Sequence, residues 1–235
     1  MFDLIAFDAD DTLWQNETFY TAAKGKLVEL LSAYHSPEWI EQRLDQAEVR
    51  NLEVFGYGIK GFILSMIETA IELTEGRIAG AEIQQIIAIG RSMLGENMQL
   101  FEGVQETLAS LAASHHLMLI TKGDLIEQEA KIARSGLAVF FAQIEITSRK
   151  TTDTYAALLA RHKVGPAGFL MVGNSLRSDI LPVLDLGGWA VYIPYQQTWA
   201  HERVDNHQLH NPRYFELTHI GLLPALIAEL ETRST

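Results

Sequence analysis

Residues 3–14 read Asp-Leu-Ile-Ala-Phe-Asp-Ala-Asp-Asp-Thr-Leu-Trp. Leu4, Ile5, Ala6 and Phe7 form an apolar run too short for a helix, so a buried strand is expected there. Three carboxylates follow at once: Asp8, Asp10 and Asp11. Asp8 and Asp10 are two residues apart, and a continued strand points both the same way. Like charges held that close repel, so one pKa rises unless a cation neutralises the pair. A hard divalent cation with oxygen ligands meets that need, and Mg²⁺ is the usual one beside phosphate. An acidic cluster after a strand is also what a turn or helix N-cap looks like, and Asp11 reads that way. The end of a strand in an α/β sheet is, however, where ligands bind.

The surrounding composition narrows the class. The chain has 235 residues, of which 48% are hydrophobic, and no cysteine. That is enough for one large domain, or for a core carrying a smaller accessory domain. Without cysteine there are no disulfides, no thiolate zinc site and no thiol nucleophile. No charged-then-apolar leader opens the sequence and no apolar stretch is long enough to span a bilayer, so a cytoplasmic protein without a membrane partner is expected. The formal net charge of −12 repels a phosphate backbone, so no nucleic-acid partner is expected. Any phosphate site must be made locally positive by a metal, a lysine and helix N-termini. The oligomeric state is not legible.

Downstream of Trp14 the texture is helical. Lys24 to Tyr34 carries Leu27, Leu30 and Leu31 at helical spacing. Ser36-Pro37-Glu38 is a helix start, with Ser36 as N-cap and Pro37 at the first position. Residues 56–61, Gly-Tyr-Gly-Ile-Lys-Gly, break the pattern. Phe62 to Leu73 and Ile83 to Leu94 supply two further helices. A small helical bundle, residues 15–98, is therefore expected as an insertion after the first strand, within a core formed by residues 1–14 and 99–235.

The remainder alternates. Leu117–Ile120, Ile144–Thr147, Phe169–Val172 and Trp189–Ile193 read as strands; Tyr214–Leu217 reads as an edge strand. Leu125–Ser135, Thr152–His162, Asp179–Leu186 and Leu222–Leu230 read as helices. Such alternation implies a Rossmann-like parallel sheet with helices on both faces. Right-handed crossovers bring every strand's C-terminal end to one edge. Asp8 and Asp10, Thr121 with the amides of Lys122 and Gly123, Lys150, and Gly173-Asn174-Ser175 with Asp179 would converge there. Each has a plainer reading: Thr121 as a helix cap, Lys150 as a surface lysine competing with Arg149 and Lys122, Ser175 as a turn residue.

These four segments, in this order, resemble the four motifs of the haloacid dehalogenase-like hydrolase superfamily, and the helical insertion falls where that family places its C1 cap. The resemblance covers nearly the whole chain. It implies that Asp8 attacks phosphorus to form an aspartyl-phosphate and that Asp10 acts as general acid and then base. It implies that Thr121 and Lys150 stabilise the phosphoryl oxygens. Mg²⁺ would be held by Asp8, the carbonyl of Asp10 and the last motif, Asn174 and Asp179. Lys122, Gly123 and, from the insertion, Tyr57 and Lys60 become candidate substrate contacts.

Two positions depart from the pattern. Asp11 stands where the family usually has glycine, a change expected to be tolerated if the backbone needs no positive φ there. Asn174 stands where the family usually has an acid, so the site loses a negative charge and should hold Mg²⁺ more weakly. Asp10 favours a phosphatase over a dehalogenase, since a halide needs no proton to leave. The expected activity is hydrolysis of a small phosphorylated metabolite. A degenerate phosphoryl-binding protein, a phosphomutase, or a phosphonatase using Lys60 as a Schiff base are the alternatives, with a response-regulator receiver more distant because it has no helical insertion. The stretch Tyr195 to Asn211, with Trp199, His201, His207 and His210, reads as a surface loop or oligomer contact.

Overall fold

Leu4–Phe7 forms strand β1, and all four of its residues are buried. A short run with no polar side chain can satisfy its backbone in water-free surroundings only by pairing on both sides, and β1 does so. It pairs in parallel with β2 (Leu117–Lys122) on one side and β4 (Phe169–Gly173) on the other. Strands β3 (Gln143–Thr147), β5 (Trp189–Tyr192) and β6 (Tyr214–Glu216) complete a six-stranded sheet in the order β3-β2-β1-β4-β5-β6. All its pairings are parallel. The computed structural model describes residues 2–197 and 210–233, so Trp199, His201 and His207 lie outside the described residues.

Parallel strands need crossovers, and helices supply them. After β1 come α1 (Glu17–Leu31), α2 (Pro37–Phe55), α3 (Ile59–Leu73) and α4 (Gly80–Gly95), then α5 (Val104–Ala112) before β2. The remaining helices are α6 (Leu125–Ser135), α7 (Thr152–His162), α8 (Leu181–Asp185) and α9 (Leu223–Arg233). Both sheet faces are covered. One cluster joins Ile5, Phe7, Leu119, Leu170 and Val172 to Val104, Leu108, Ile132, Leu223 and Ile227. The other joins Leu4, Ala6, Met118, Ile120 and Met171 to Tyr155, Leu158, Leu159 and Val183. The alternation of β1 between the two clusters is the two-residue period of a strand.

The chain divides into two compact units. One comprises Met1–Gln15, Met98–Lys122 and Gln128–Thr235; the other comprises Asn16–Asn97 together with Gly123–Glu127. The helical unit has its own core of Leu27, Leu31, Ile40, Leu44, Phe62, Met66, Ala70 and Ile86. Each of these side chains other than Ala70 contributes about 1.5–3 kcal/mol on full burial. Ser36 accepts from the Trp39 amide at 3.4 Å and Pro37 opens α2, the expected start. Gly58, at φ +124, lies where a Cβ would stand 2.8 Å from Glu127 Oε2, and the next amide, Ile59 N, donates to that same oxygen at 2.8 Å. Within this unit Lys60 Nζ also pairs with Asp124 Oδ2 at 2.8 Å.

Several expectations are corrected. Helix α1 begins at Glu17, a full turn and more before Lys24, because Phe19 and Tyr20 already pack on the helical core. The helix expected over Asp179–Leu186 opens earlier as a π-helical turn, Leu176–Ile180, capped by Ser175 Oγ accepting from Ser178 N at 3.0 Å. Helix α5 was not anticipated, though Val104, Leu108 and Leu111 mark its buried face. Asp11 has φ +60, so the backbone does take the left-handed conformation there. Aspartate tolerates that region better than most residues, at a cost of about 1 kcal/mol relative to glycine.

Candidate active site

The parallel sheet puts the ends of β1, β2, β3 and β4 on one edge, and the loops leaving them carry the polar residues. Asp8 follows β1 directly, and its amide donates to the Val172 carbonyl of β4 at 2.9 Å, so it starts where the sheet stops. Its side chain is 9% exposed. Lys150, on the segment after β3, bonds Asp8 Oδ1 through its ammonium, which also donates to Asp179 Oδ1 at 2.7 Å. Thr12 Oγ1 donates to the other Asp8 oxygen, Oδ2, at 3.1 Å. Asp179 Oδ2 in turn accepts from the Ser175 amide at 3.0 Å, which ties Lys150 to the loop after β4.

Burial pushes the Asp8 carboxyl up to about 7; Lys150 opposes that rise, while Asp179 and Asp10 add to it. Lys150 behaves in the opposite sense. Burial alone would strip its proton, but two carboxylates outweigh that and hold its pKa above the ordinary lysine value. The arrangement is an ammonium between two buried carboxylates, with one net negative charge when all three are ionised.

Asp10 has separate partners. Its Oδ1 accepts from Trp14 Nε1 at 2.7 Å and its Oδ2 from Gln128 Nε2 at 2.9 Å. Lys131 Nζ reaches both oxygens, at 3.1 and 3.0 Å. Burial would raise the Asp10 pKa, but Lys131 and the bonds from Gln128 and Trp14 prevail and hold it below the usual carboxylate value. Gln128 and Lys131 stand three residues apart on one face of α6. None of these three donors was singled out from the sequence; the apolar and polar period of Leu125–Ser135 marks a helix but not which polar residue points at the site.

The Asn174 side-chain amide faces three oxygens, Asp8 Oδ2, Thr12 Oγ1 and the Asp10 carbonyl, each at 3.2 Å. With Thr12 donating to Asp8, the amide nitrogen belongs on that side. Oxygens from Asp8 and Asp10 thus already converge on one small group. Turning the amide would add the Asn174 oxygen to them, an all-oxygen set of the kind hard cations take. The set has one carboxylate, one carbonyl and one amide, and among the described residues no group of three or more His, Asp or Glu stands at metal-ligand spacing. Asp179 is engaged with Lys150 and Ser175.

Thr121 is buried at the end of β2, and Asp124, not Thr121, caps α6 by accepting from the Glu127 amide at 3.1 Å. Lys122 does not simply face solvent: its ammonium donates to Ser178 Oγ at 2.9 Å. Gly123 takes φ +146 in the loop after β2. Tyr57 and Lys60 lie in the helical unit, Tyr57 half-buried between α2 and α3 and Lys60 paired with Asp124.

The haloacid dehalogenase-like hydrolase family model matches residues 2–187. The chain belongs to that family. Its helical insertion α1–α4 between β1 and β2 is the family's C1 cap. A haloacid dehalogenase-like family hydrolase from Xanthomonas campestris is 43% identical, with a TM-score of 0.88 over 99% of this chain and 93% of that one. The fold is shared with a 2-haloacid dehalogenase from Pseudomonas syringae at 23% identity (TM-score 0.64, 98% and 100% covered). A HAD-hydrolase from Bacillus subtilis bound to magnesium is 18% identical (TM-score 0.67, 96% and 98% covered). No protein of curated function matches. Among the described residues no helix is long and apolar enough to cross a membrane.

Proposed function

We propose that this hydrolase is a Mg²⁺-dependent phosphatase that cleaves a small phosphorylated metabolite through an aspartyl-phosphate on Asp8. The observation that carries the reading is the pairing of two differently held carboxylates. Asp8 is bonded by Lys150 and Thr12 at the sheet edge, while Asp10 is held by Trp14, Gln128 and Lys131. Breaking a carbon–halogen bond needs no acid for the leaving group, because halide leaves without a proton. Phosphate ester hydrolysis uses one twice.

An oxygen of Asp8 attacks phosphorus, and the bond from phosphorus to the ester oxygen breaks with its electron pair on that oxygen. Asp10 in its protonated form gives it a proton, releasing an alcohol. Asp10 then takes a proton from water as the water oxygen attacks the phosphorus of the aspartyl-phosphate, which frees phosphate and restores Asp8. Lys150, positively charged and buried, and Thr121 stabilise the phosphoryl oxygens, with the amides of Lys122 and Gly123. Asp179 orients Lys150. Mg²⁺, held by Asp8, the Asp10 carbonyl and Asn174, would supply the remaining neutralisation of charge. Substrate choice is assigned to the helical insertion, with Tyr57 and Lys60 the first residues to vary. A Schiff base at Lys60 is less favoured, since that ammonium is in an ion pair with Asp124.

The test is phosphate release from a panel of phosphorylated metabolites with Mg²⁺ and with EDTA, for wild type and Asp8→Asn. Metal-dependent release that the variant abolishes is the expected result. No release from any compound would point to the non-catalytic binding reading.

A further inference from the structure

Helix α3 does not cap its own N-terminus. Gly58 stands at the capping position with no side chain to offer, whereas α2 is capped locally by Ser36. The acceptor comes instead from α6, 68 residues further along the chain: Ile59 N donates to Glu127 Oε2 at 2.8 Å. Both residues are deep, Ile59 being 4% and Glu127 3% exposed. Glycine permits the approach. Gly58 has φ +124, and a Cβ there would stand 2.8 Å from that same oxygen and 3.2 Å from Asp124 Cβ.

The attachment has two points. Lys60, the residue after Ile59, donates to Asp124 Oδ2 at 2.8 Å, and Asp124 Oδ1 accepts from Glu127 N at 3.1 Å. Adjacent residues at the start of α3 thus each hold a carboxylate of one turn, and the turn's own bond closes the ring. The Lys60 ammonium is exposed, so its ion pair contributes little alone. The buried bond to Glu127 sets the position, because a buried amide left without an acceptor is costly.

The core of the helical unit does not require this bond. Leu27, Leu44, Met66 and Ile86, one from each of its four helices, belong to an apolar cluster that does not include Glu127. What the bond fixes is the start of α3 and the loop before it, which carries Tyr57 and Lys60. It fixes that loop to a turn beginning at Gly123, and Gly123–Glu127 groups with the helical insertion although it follows β2 directly. The loop therefore stands one residue along the chain from the Gly123 amide assigned to the phosphoryl oxygens. The alcohol part of an ester lies next to its phosphoryl group. We propose that Glu127 is a positioning residue for substrate choice, holding the Tyr57–Lys60 loop beside Gly123 so that the loop meets the alcohol part of the ester. This inference rests on the phosphatase reading above.

Such a role has a signature that a purely structural one lacks. Binding energy from the non-reacting part of a substrate is lost only by substrates that have such a part. Loss of Glu127 should weaken an ester that the loop grips and spare compounds that offer little beyond the phosphoryl group. A residue that only supports the fold would lower both alike.

The experiment measures kcat/KM for the best ester of the panel and for acetyl phosphate, and the inhibition constant of inorganic phosphate, in wild type, Glu127→Ala and Glu127→Gln. Glu127→Ala is expected to lose about 100-fold on the ester, the scale of misplacing a group by about 1 Å, and less than about threefold on acetyl phosphate. Inorganic phosphate should inhibit wild type and variant equally. Glu127→Gln, which keeps an oxygen for Ile59 N, should recover part of the loss. Equal losses on the ester and acetyl phosphate, or an unchanged ester, would overturn the inference while the phosphatase reading stood. Should Glu127→Ala fail to fold, Glu127→Asp, whose carboxylate ends one methylene short of Ile59 N, gives the same comparison. Wild type that releases phosphate from neither compound in an Asp8-dependent manner would overturn the phosphatase reading, and the positioning role with it.

Discussion

Lys150 Nζ donates to Asp179 Oδ1 at 2.7 Å while bonding Asp8 with the same ammonium, so a single buried cation holds two buried carboxylates together. Each of the three groups is less than a tenth exposed. Removing the cation would leave two like charges side by side. Lys150→Met is expected to destabilise the protein by about 3–5 kcal/mol, the usual cost of orphaning a buried charge, and to abolish activity. Asp179→Asn, which keeps a hydrogen-bond acceptor, should cost less. Urea unfolding of both variants checks the order.

Asn174 brings a neutral amide to a place bounded by Asp8 and the Asp10 carbonyl. Asn174→Asp adds a charge to that oxygen set. The Mg²⁺ concentration for half-maximal activity should fall several-fold. Without the cation the new carboxylate repels Asp8, so the variant should melt lower than wild type in EDTA and gain more from Mg²⁺. Thermal melts at graded Mg²⁺ decide it; an unchanged Mg²⁺ dependence would remove Asn174 from the ligand set.

Gly173 ends β4 against Asp179. A Cβ there would lie 2.3 Å from Asp179 Oδ2 and 2.6 Å from its Cβ. Gly173→Ala must push Asp179 away from Lys150. A loss of about 1–3 kcal/mol, the usual cost of overpacking, is expected together with a large fall in kcat. Retained activity with a normal melt would mean that Asp179 does not need its present place.

Glu231 on α9 accepts from the Phe2 amide at 3.0 Å and faces His115 Nε2 at 3.2 Å, clamping the approach to β1. Burial tends to raise its pKa, but the Phe2 amide and His115 lower it below the ordinary 4.5. A folded pKa below the unfolded one stabilises the protein above about 4.5 and is lost as pH falls through the folded value. Glu231→Gln should therefore cost stability at pH 7, about 1 kcal/mol for a half-buried hydrogen-bonded group, and nothing near pH 2. Melting both proteins across that range tests the sign.

Much of this was legible in the chain because it rests on short-range pattern. Leu4–Phe7 and Phe169–Gly173 are runs that only an interior parallel strand explains, and Ser36-Pro37 fixes a helix start locally. Their order alone brings Asp8, Lys150 and Asn174 to one edge. What stayed hidden depends on direction. Nothing in Leu125–Ser135 says that Gln128 and Lys131, of all its polar residues, face inward to Asp10. Trp14 read as one more apolar residue after the strand, whereas its ring nitrogen is a donor to Asp10. The positive φ at Asp11 is likewise set by the loop's closure onto Trp14, a contact that spacing does not announce.

The central claim is that Asp8 itself becomes phosphorylated. Rapid quenching of wild type during turnover of its best phosphate ester, followed by borohydride, converts an acyl phosphate to an alcohol. Peptide mass mapping should then find homoserine in place of Asp8, only when both ester and Mg²⁺ are present, and nothing at Asp10 or Asp179. Turnover at full rate with no modified Asp8, or a modification on another carboxylate, would contradict the account.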